Sequence, residues 1–362
     1  MAGNSMPARL IPPGRILKRE LKARGWTQKY MAEIMGRPAS KISPIIRGTK
    51  QITPETAIEL AEALGTSPDL WMNLETNYRL RLAQRKNWGI AIARRRRLYD
   101  IVPVSEMLKR GWLPQVRSID QLEKAVCQFL DVSNLDRIPQ LAVSFRGSGR
   151  KKASGPARAA WRKRVEYLAS KQDVAPFSYD RFRTECIDKL LEHASSVEGV
   201  AEVRRVLANF GVHLIFLRHL SRTYLDGAAF YLRRKPVIAL TLRYDRIDSF
   251  WFTLMHELAH FYEGHRGVFL DDLENEDTDK QEKQANRKAR EWLVSNNALK
   301  YFIKATRPYF SRGKIEQFAL AQRRHPAIIL GRLQREGAVS YAHLRRSLLV
   351  KVSPYLQNQI NN

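Results

Sequence analysis

The spacing of apolar residues predicts a mostly α-helical chain whose character changes near residue 200. Through residues 13–82, apolar side chains recur every three or four positions, as on the buried faces of short helices. Thr53-Pro54-Glu55 and Ser67-Pro68-Asp69 each place a capping residue before a proline, which is typical of a helix start. The helices predicted here are Gly14–Arg24, Gln28–Met35, Ala39–Ile46, Glu55–Leu64 and Leu70–Leu82.

From residue 201 onwards, runs typical of β-strands occur together with the three- and four-residue spacing of helices. Short β-rich runs separated by turn residues precede a helical stretch at Ser249–His265, and two further helices are expected later. The predicted strands are Val212–Leu217, Ala228–Leu232 and Val237–Leu242, and the later helices are Ile315–Leu320 and Ile328–Leu333. The expected fold is multidomain and mostly α, with an all-α N-terminal domain (1–82), a helical middle region (83–200), an α+β domain with a small sheet (201–348) and a C-terminal tail (349–362).

Two of the N-terminal helices form a predicted helix-turn-helix. Gln28–Met35 and Ala39–Ile46 are joined by a tight turn that begins at Gly36. The second helix would enter the major groove of DNA by its N-terminal end. The expected contacts to bases or phosphates are Ser40, Lys41 and Ser43, and those to the DNA backbone are Arg37, Arg47 and Lys50. The alternative is an all-helical interaction module with a basic surface.

The net charge agrees with a nucleic-acid partner. The chain carries 63 basic and 36 acidic residues, a formal charge of +27. Such an excess indicates a polyanionic ligand, although a solubilising surface is the bland alternative. No apolar run is long enough for a membrane span, and the N-terminus lacks an apolar signal core. Cys127 and Cys186 are expected to be reduced thiols, and the expected location is the cytoplasm.

The predicted helix at Ser249–His265 carries a metal-binding pattern, His256-Glu257-Leu258-Ala259-His260. Four residues apart on a helix, His256 and His260 share one face and can reach the same ion. A zinc ion there would lower the pKa of a bound water to about 7. Glu257 would accept that water's proton and pass it to a leaving amine. The alternative is a core helix whose two histidines fit the pattern by chance.

A third ligand is expected from the predicted helix Gln281–Leu293. Glu282 is our candidate, and Asn286 lies four residues later on the same face, where it would support a ligating histidine by a hydrogen bond. A solvated glutamate in a charged segment is the alternative for Glu282. The competing carboxylates are Glu291 and the acidic run Asp271, Asp272, Glu274, Glu276, Asp277 and Asp279.

These residues resemble the ImmA/IrrE family of zinc metallopeptidase-like proteins, in which the histidine motif precedes a helix of the form E-x-E-A-N-x-F-A. The chain keeps Glu282, Ala285, Asn286 and Ala289 but has Gln284 and Lys288 where the family prefers Glu and Phe. The resemblance implies a zincin-like domain, zinc and a protein substrate. The stretch HPAIILGRLQREG also matches the family, and its His325 is a candidate for assisting the transition state, with a structural role as the alternative.

The N-terminal segment, residues 12–80, resembles the HigA-type antitoxins of the lambda-repressor-like class. The segments that carry the likeness are PGRILKRELKARGWTQKYMAEIMG and ITPETAIELAEALGTSPDLWMNLETNYRL. The resemblance implies a homodimer that binds an operator in double-stranded DNA and a toxin as protein partner.

Two functions follow from the sequence. In the first, a DNA-binding regulator carries a zinc-dependent peptidase that cuts a protein partner. In the second, the chain is an antitoxin and autorepressor whose zincin-like domain only binds a toxin or senses a ligand. The two differ in whether catalysis occurs.

Overall fold

The computed structural model describes residues 10–85, 89–135, 154–265, 267, 269–271 and 280–361. The chain divides into two compact units, Met1–Arg97 and Leu98–Asn362. The domain boundaries expected from the sequence stay predictions, although the helix Pro68–Arg85 runs through the first of them. Within the described residues, no helix is both long enough and apolar enough to cross a membrane.

The N-terminal unit is built from short helices at the predicted positions. They are α1 (Pro13–Ala23), α2 (Gln28–Ile34), α3 (Ala39–Ile46), α4 (Pro54–Leu64) and α5 (Pro68–Arg85), followed by α6 (Ile90–Ile101) at the division between the units. Their core contains Leu17, Met31, Ile45, Leu60 and Trp71. The indole N–H of Trp71 donates to Thr66 Oγ1 at 2.9 Å, so the polar edge of this buried ring is satisfied.

Capping residues fix the ends of these helices. The Thr27 hydroxyl accepts a hydrogen bond from the Tyr30 amide at the start of α2, and the Thr53 hydroxyl does the same for Thr56 in α4. Gly65 ends α4 in the left-handed conformation with φ 64°, which glycine adopts without strain. The boundaries of the helix-turn-helix are therefore set by local sequence.

Gly14 allows α1 and α3 to approach at the backbone. A Cβ at position 14 would lie 2.1 Å from the carbonyl oxygen of Ile45 and 2.6 Å from that of Ile46. Backbone carbonyls cannot move aside as a flexible side chain can. The position of the second helix of the helix-turn-helix therefore depends on a missing side chain on α1.

The C-terminal unit combines helices with one sheet. Its helices are α7 (Val104–Lys109), α8 (Ile119–Leu130), α9 (Gly155–Ser170), α10 (Tyr179–Arg181), α11 (Ile187–Leu191), α12 (Val203–Asn209), α13 (Ile247–Tyr262), α14 (Lys280–Leu293), α15 (Asn296–Thr306), α16 (Arg312–Ala321), α17 (Pro326–Arg335) and α18 (Arg345–Leu348). A π-helical turn (Phe182–Cys186) joins α10 to α11, and 3₁₀ turns lie at Glu198–Ala201 and Ser353–Tyr355. The strands are β1 (His213–Leu217), β2 (Gly227–Leu232), β3 (Lys235–Leu240), β4 (Phe269–Asp271) and β5 (Ile360–Asn361).

The sheet has the order β4-β2-β3-β1-β5. β1 pairs in parallel with β3 and β5, whereas β2 is antiparallel to β3 and β4. The three predicted strands are present, each within two residues of its expected ends. The segment expected only as a C-terminal tail also contributes, because Ile360 pairs with Phe216. A strand of this length carries too little pattern to be predicted from its own residues.

Helix α13 packs between the sheet, α14 and α17. It begins earlier than the start at Ser249 predicted from the sequence: Arg246 is the N-cap, and the Asp248 carboxylate accepts a hydrogen bond from the Arg246 guanidinium at 2.7 Å. Gly331 lets α17 approach this end of α13, since a Cβ there would lie 2.8 Å from Asp248 Oδ2. The motif helix is thus buried on nearly all sides.

We expect Gly14→Ala to lower the free energy of unfolding of the N-terminal unit by about 1–3 kcal/mol, because the new methyl group overlaps the α3 backbone. Thermal melting followed by circular dichroism measures this. Gly89→Ala is the control, since a Cβ there meets no atom within 4 Å. A Gly14→Ala protein as stable as the Gly89→Ala protein would contradict the close approach.

Candidate metal centre and nucleic-acid interface

Helix α13 brings the two motif histidines together. The Nε2 atoms of His256 and His260 lie 3.2 Å apart, and both side chains are fully buried. Their rings are edge-on, with centroids 4.9 Å apart. Because the two histidines are one helical turn apart, their Nε2 atoms are close enough to bind the same ion, as the spacing predicts.

Helix α14 adds a carboxylate to this pair. Glu282 Oε2 lies 3.1 Å from His256 Nε2, and Glu282 Oε1 lies 3.6 Å from His260 Nε2. A tetrahedral ion with ligand distances of about 2.0–2.1 Å separates its ligand atoms by about 3.3 Å. The triangle formed by the two histidines and Glu282 matches three corners of that tetrahedron. The residues present therefore fit a zinc ion.

Each histidine is oriented by a contact to its other nitrogen. His256 Nδ1 lies 3.2 Å from Asn286 Oδ1, so an N–H at Nδ1 can donate to the amide oxygen and leave Nε2 with its lone pair. This is the position that the sequence predicts for Asn286. Glu282 and Asn286 share one face of α14 because they are four residues apart.

His265 orients the second histidine, although the metal-binding pattern of the sequence does not include it. The Nδ1 atoms of His260 and His265 lie 3.1 Å apart. Burial lowers the pKa of His265, and the neighbouring His260 acts in the same direction. The available signal was Gly264, whose φ of 72° turns the chain back so that the His265 amide donates to the His260 carbonyl. Phe269 from β4 also stacks on the His260 ring, with centroids 4.0 Å apart.

Glu257 lies fully buried against the first residue of β2. A Cβ at Gly227 would lie 2.0 Å from Glu257 Oε1 and 2.8 Å from the methyl group of Thr253. Only glycine leaves room for the carboxylate there. The backbone of β2 therefore packs directly against the Glu257 carboxylate, a contact that no spacing in the sequence indicates.

Of the carboxylates that compete with Glu282, the structure describes the side chain of Glu291 but not those of the acidic run. The Glu291 carboxylate accepts a hydrogen bond from the Asn296 amide at 3.0 Å and so caps α15. The rest of the acidic run, Asp272, Glu274, Glu276, Asp277 and Asp279, lies outside the described residues, and of Asp271 only the backbone pairing with Gly227 is described.

His325 lies at the other end of α13 from the metal-binding pattern. It is the N-cap of α17: its Nδ1 accepts a hydrogen bond from the Ala327 amide at 3.1 Å. Burial lowers its pKa, and Glu198 and Asp248 oppose that shift. Asp248 precedes His256 by eight residues, about 12 Å along the helix axis. These contacts give His325 the structural role of a helix cap and do not bring it to the metal ligands.

The surface of the helix-turn-helix carries most of the predicted DNA contacts. Ser40, Lys41, Arg47 and Lys50 are exposed and Ser43 is half-buried, whereas Ile42 and Ile45 turn α3 toward the core. Arg37 differs from the expectation of a side chain directed at phosphate, because its guanidinium bonds to Glu59 Oε1 on α4 at 2.5 Å. A salt bridge within the domain holds Arg37 against α4, and its DNA contact stays a prediction.

We expect His256→Ala and Glu282→Ala each to abolish zinc binding in a protein prepared without chelators. Asn286→Ala and His265→Ala should weaken it by about 10–100-fold, because they remove partners that orient ligands. Competition with a chromophoric chelator measures both effects. Glu291→Ala is the control on the same helix and should bind zinc as the wild type does. Full zinc occupancy in Glu282→Ala would assign the third ligand elsewhere.

In comparisons with known proteins, each of the two units matches one protein family. The helix-turn-helix family model matches residues 17–71, and the model described as the IrrE N-terminal-like domain, a peptidase family, matches residues 208–323. Virulence-associated protein I of Dichelobacter nodosus is 36% identical over 90 residues, which make up 25% of this chain and 82% of that protein. Antitoxin HigA-1 of Vibrio cholerae is 40% identical over 68 residues, 18% of this chain and 64% of that protein.

Solved structures of antitoxins are also similar to about a quarter of this chain. A HigA-family addiction module antidote protein from Coxiella burnetii shares 31% identity, with 24% of this chain and 94% of that chain covered and a TM-score of 0.23. Antitoxin HigA of Pseudomonas aeruginosa, solved with the higBA promoter, shares 32% identity, with 22% and 89% covered and a TM-score of 0.22. On the family matches and the relatives' identity, the chain belongs to the HigA-type helix-turn-helix antitoxins and regulators and carries an ImmA/IrrE-type domain in its C-terminal unit.

Proposed function

We propose that this DNA-binding regulator of the HigA type is also a zinc-dependent peptidase that cuts a protein partner. The observation that carries the proposal is the ligand triangle of His256, His260 and Glu282, with edges of 3.1–3.6 Å, beside the buried carboxylate of Glu257. A structural zinc site needs four protein ligands, whereas a catalytic site has three and keeps one position open.

Different residues would bind the metal and transfer the proton. His256, His260 and Glu282 would hold the ion, which when bound supplies a Lewis acid and an acidic water. Glu257 follows the first ligand on α13 and would accept a proton and return it to the leaving amine. Gly227 leaves room for the carboxylate of Glu257, because any side chain there would overlap it. Asn286 and His265 would hold the ligating rings in orientation.

The substrate proposed is a peptide segment of a protein. β4 is one of the two edge strands of the described sheet and lies next to β2, whose first residue contacts Glu257. Extended peptides commonly bind by adding to such an edge. A segment bound there would pass close to the proposed general base.

The N-terminal unit would act as an operator-binding module. Ser40, Lys41 and Arg47 are exposed on one side of α3, and the similar antitoxin HigA of Pseudomonas aeruginosa was solved together with promoter DNA. By the same likeness we propose a homodimer on double-stranded DNA and a toxin as protein partner. These assignments rest on the relatives and on the exposed basic residues of α3.

A second candidate function is an antitoxin whose zincin-like domain does not cut. The reason to retain it is that about a quarter of this chain spans 82% of Virulence-associated protein I and 94% of a HigA-family addiction module antidote protein. Proteins of that size have no counterpart for most of this chain, so toxin neutralisation does not require the second unit. Its domain would then bind the toxin or sense a ligand.

The two residues that depart from the family motif connect α14 to the end of α13. Gln284 donates a hydrogen bond to the Glu263 carboxylate at the end of α13. The Lys288 ammonium lies 3.8 Å from Glu263 and 4.4 Å from the centre of the Tyr262 ring. Both residues therefore contribute contacts between α13 and α14 where the family prefers other side chains.

For the DNA-binding module, we expect the affinity for DNA upstream of the protein's own gene to fall steeply as the salt concentration rises. The slope of log affinity against log salt concentration should be about −0.9 for each neutralised phosphate. Lys41→Ala should cost about 1–3 kcal/mol if this lysine reads a base. Fluorescence anisotropy with specific and scrambled duplexes measures both. A flat salt response would contradict operator binding, and an equal loss on scrambled DNA would assign Lys41 to phosphate contact only.

For the peptidase, we expect Glu257→Gln to keep zinc and to reduce cleavage of a degenerate peptide pool by about 10²–10⁴-fold, because the amide cannot accept the proton. Gly227→Ala should reduce cleavage as well, since it displaces the carboxylate. Mass spectrometry of the products gives the rates. Gly313→Ala, where a Cβ meets no atom within 4 Å, is the control. Cleavage that persists in Glu257→Gln would remove this residue from the mechanism.

A further inference from the structure

A cavity of about 390 Å³ lies between α13, α14 and α17. α13 contributes Phe252 and Thr253, α14 contributes Arg290, and α17 contributes Arg332 and Arg335. The volume falls in the range of small-molecule and side-chain binding sites. None of the metal ligands lines it, so the cavity is separate from the centre described above.

The cavity nevertheless adjoins that centre. Thr253 precedes Glu257 by one turn of α13, and both side chains contact the same point at Gly227. The ring of Phe252 lies 6.3 Å from that of His256. The cavity therefore lies within one helical turn of the proposed general base and beside the first histidine.

Helix α14 connects the two places through one stripe of residues. Glu282, Asn286 and Arg290 follow each other at intervals of four, so they share the face that α14 turns to α13. Glu282 contacts both motif histidines and Asn286 contacts His256, whereas Arg290 lines the cavity with Phe252. The two helices thus run in opposite directions. Arg290 lies about 12 Å along the helix from Glu282.

Arg290 brings a positive charge that no described residue balances. Its Nε is buried without a hydrogen-bond acceptor, and among the residues that the structure describes no carboxylate pairs with its guanidinium. Arg332 lies close by: burial lowers its pKa, Glu336 opposes this, and the charge of Arg290 adds to the lowering. Two guanidinium groups that approach each other beside an open volume favour an anion between or beside them.

The carboxylates around the cavity have other partners. Asp248 accepts from Arg246 at 2.7 Å, and Asp226 lies 3.6 Å from Arg243. Glu336, which does not line the cavity, lies 3.0 Å from Arg332. The two carboxylates that line the cavity therefore pair with arginines other than Arg290, and the Arg290 guanidinium can pair with an acidic ligand.

Apolar walls make this charge selective. Phe252, Leu293 and Ile328 line the same cavity. Apolar walls exclude water and lower the local dielectric, which strengthens a guanidinium–carboxylate pair. A planar guanidinium also matches a carboxylate with two parallel hydrogen bonds.

We propose that this cavity is a substrate subsite in which Arg290 binds the carboxylate of an aspartate or glutamate side chain of the peptide to be cut. The inference rests on the proposed peptidase function and adds a preference for acidic substrate segments. An extended peptide advances about 3.3 Å per residue. The separation of about 12 Å along α14 between Glu282 and Arg290 therefore places the acidic side chain about three to four residues from the bond that breaks.

The test uses the full chain and three pools of short, otherwise degenerate peptides that fix Glu, Gln or Lys at one position. Binding of fluorescein-labelled pools is measured by anisotropy in the Glu257→Gln background, which leaves the peptides intact. Cleavage sites in the pools are mapped by mass spectrometry with the zinc-loaded protein. Each variant is first checked for zinc content and thermal unfolding.

We expect the Glu pool to bind about 10–100-fold more tightly than the Gln pool, as for a hydrogen bond to a charged group. Arg290→Gln should abolish this preference, and Arg290→Glu should transfer it to the Lys pool. Arg287→Gln is the matched control, because Arg287 is an arginine on the same helix that does not line the cavity. Cleavage sites should be enriched in acidic residues at one fixed distance.

The two proposals fail in different ways. Cleavage without an acidic preference would overturn the subsite and leave the peptidase intact, as would a preference that survives Arg290→Gln. An Arg290-dependent preference without cleavage would support a binding site for acidic peptide segments in the cavity, but it would reject the peptidase and with it the role of the cavity as a substrate subsite. Free N-acetylglutamate that binds as tightly as the Glu pool would identify a small-carboxylate site instead and overturn the subsite. Absence of both cleavage and preference would reject both proposals.

Discussion

The packing of α14 against α13 is the contact on which the C-terminal unit depends. It brings Glu282 to the two motif histidines, sets Asn286 behind one of them and turns Arg290 toward the neighbouring cavity. A buried histidine pair without a carboxylate or metal would leave polar nitrogens in an apolar surround, which is costly. The same helix contact thus satisfies the buried histidines and forms the site.

Glycines at three close approaches set the geometry of both units. Gly14 admits the backbone of α3, Gly227 admits the Glu257 carboxylate, and Gly331 admits Asp248. In each case a Cβ would fall within about 3 Å of an atom that belongs to another element. Backbone contact replaces side-chain packing at these points, because a fixed distance matters more there than buried apolar area.

The chain separates two kinds of chemistry in two compact units. The N-terminal unit presents exposed polar and basic side chains on a short helix and has no need of a deep pocket to bind a polyanion. The C-terminal unit buries His256, Glu257 and His260, and the metal binding and proton transfer proposed for them would depend on an ordered site that excludes water. The family matches agree with this division, with one model on each unit.

The sequence by itself determined the local elements and the two families. Capping residues and apolar spacing sufficed for α1 to α5, since short helices are set by neighbours in the chain. Four-residue spacing sufficed for the pairing of His256 with His260 and for the shared face of Glu282 and Asn286. Those features depend on distances within one helix, which the sequence encodes directly.

Only the tertiary structure decided which groups from different elements meet. Glu282 was the candidate ligand and Glu291 a competitor on the same helix, and the packing of α14 turns the first toward the histidines and the second toward α15. The contacts of His265 and Phe269 with His260, the salt bridge of Arg37 and the pairing of β5 arise between segments with no common period. Such contacts are fixed by how elements pack, and spacing along the chain carries no record of them.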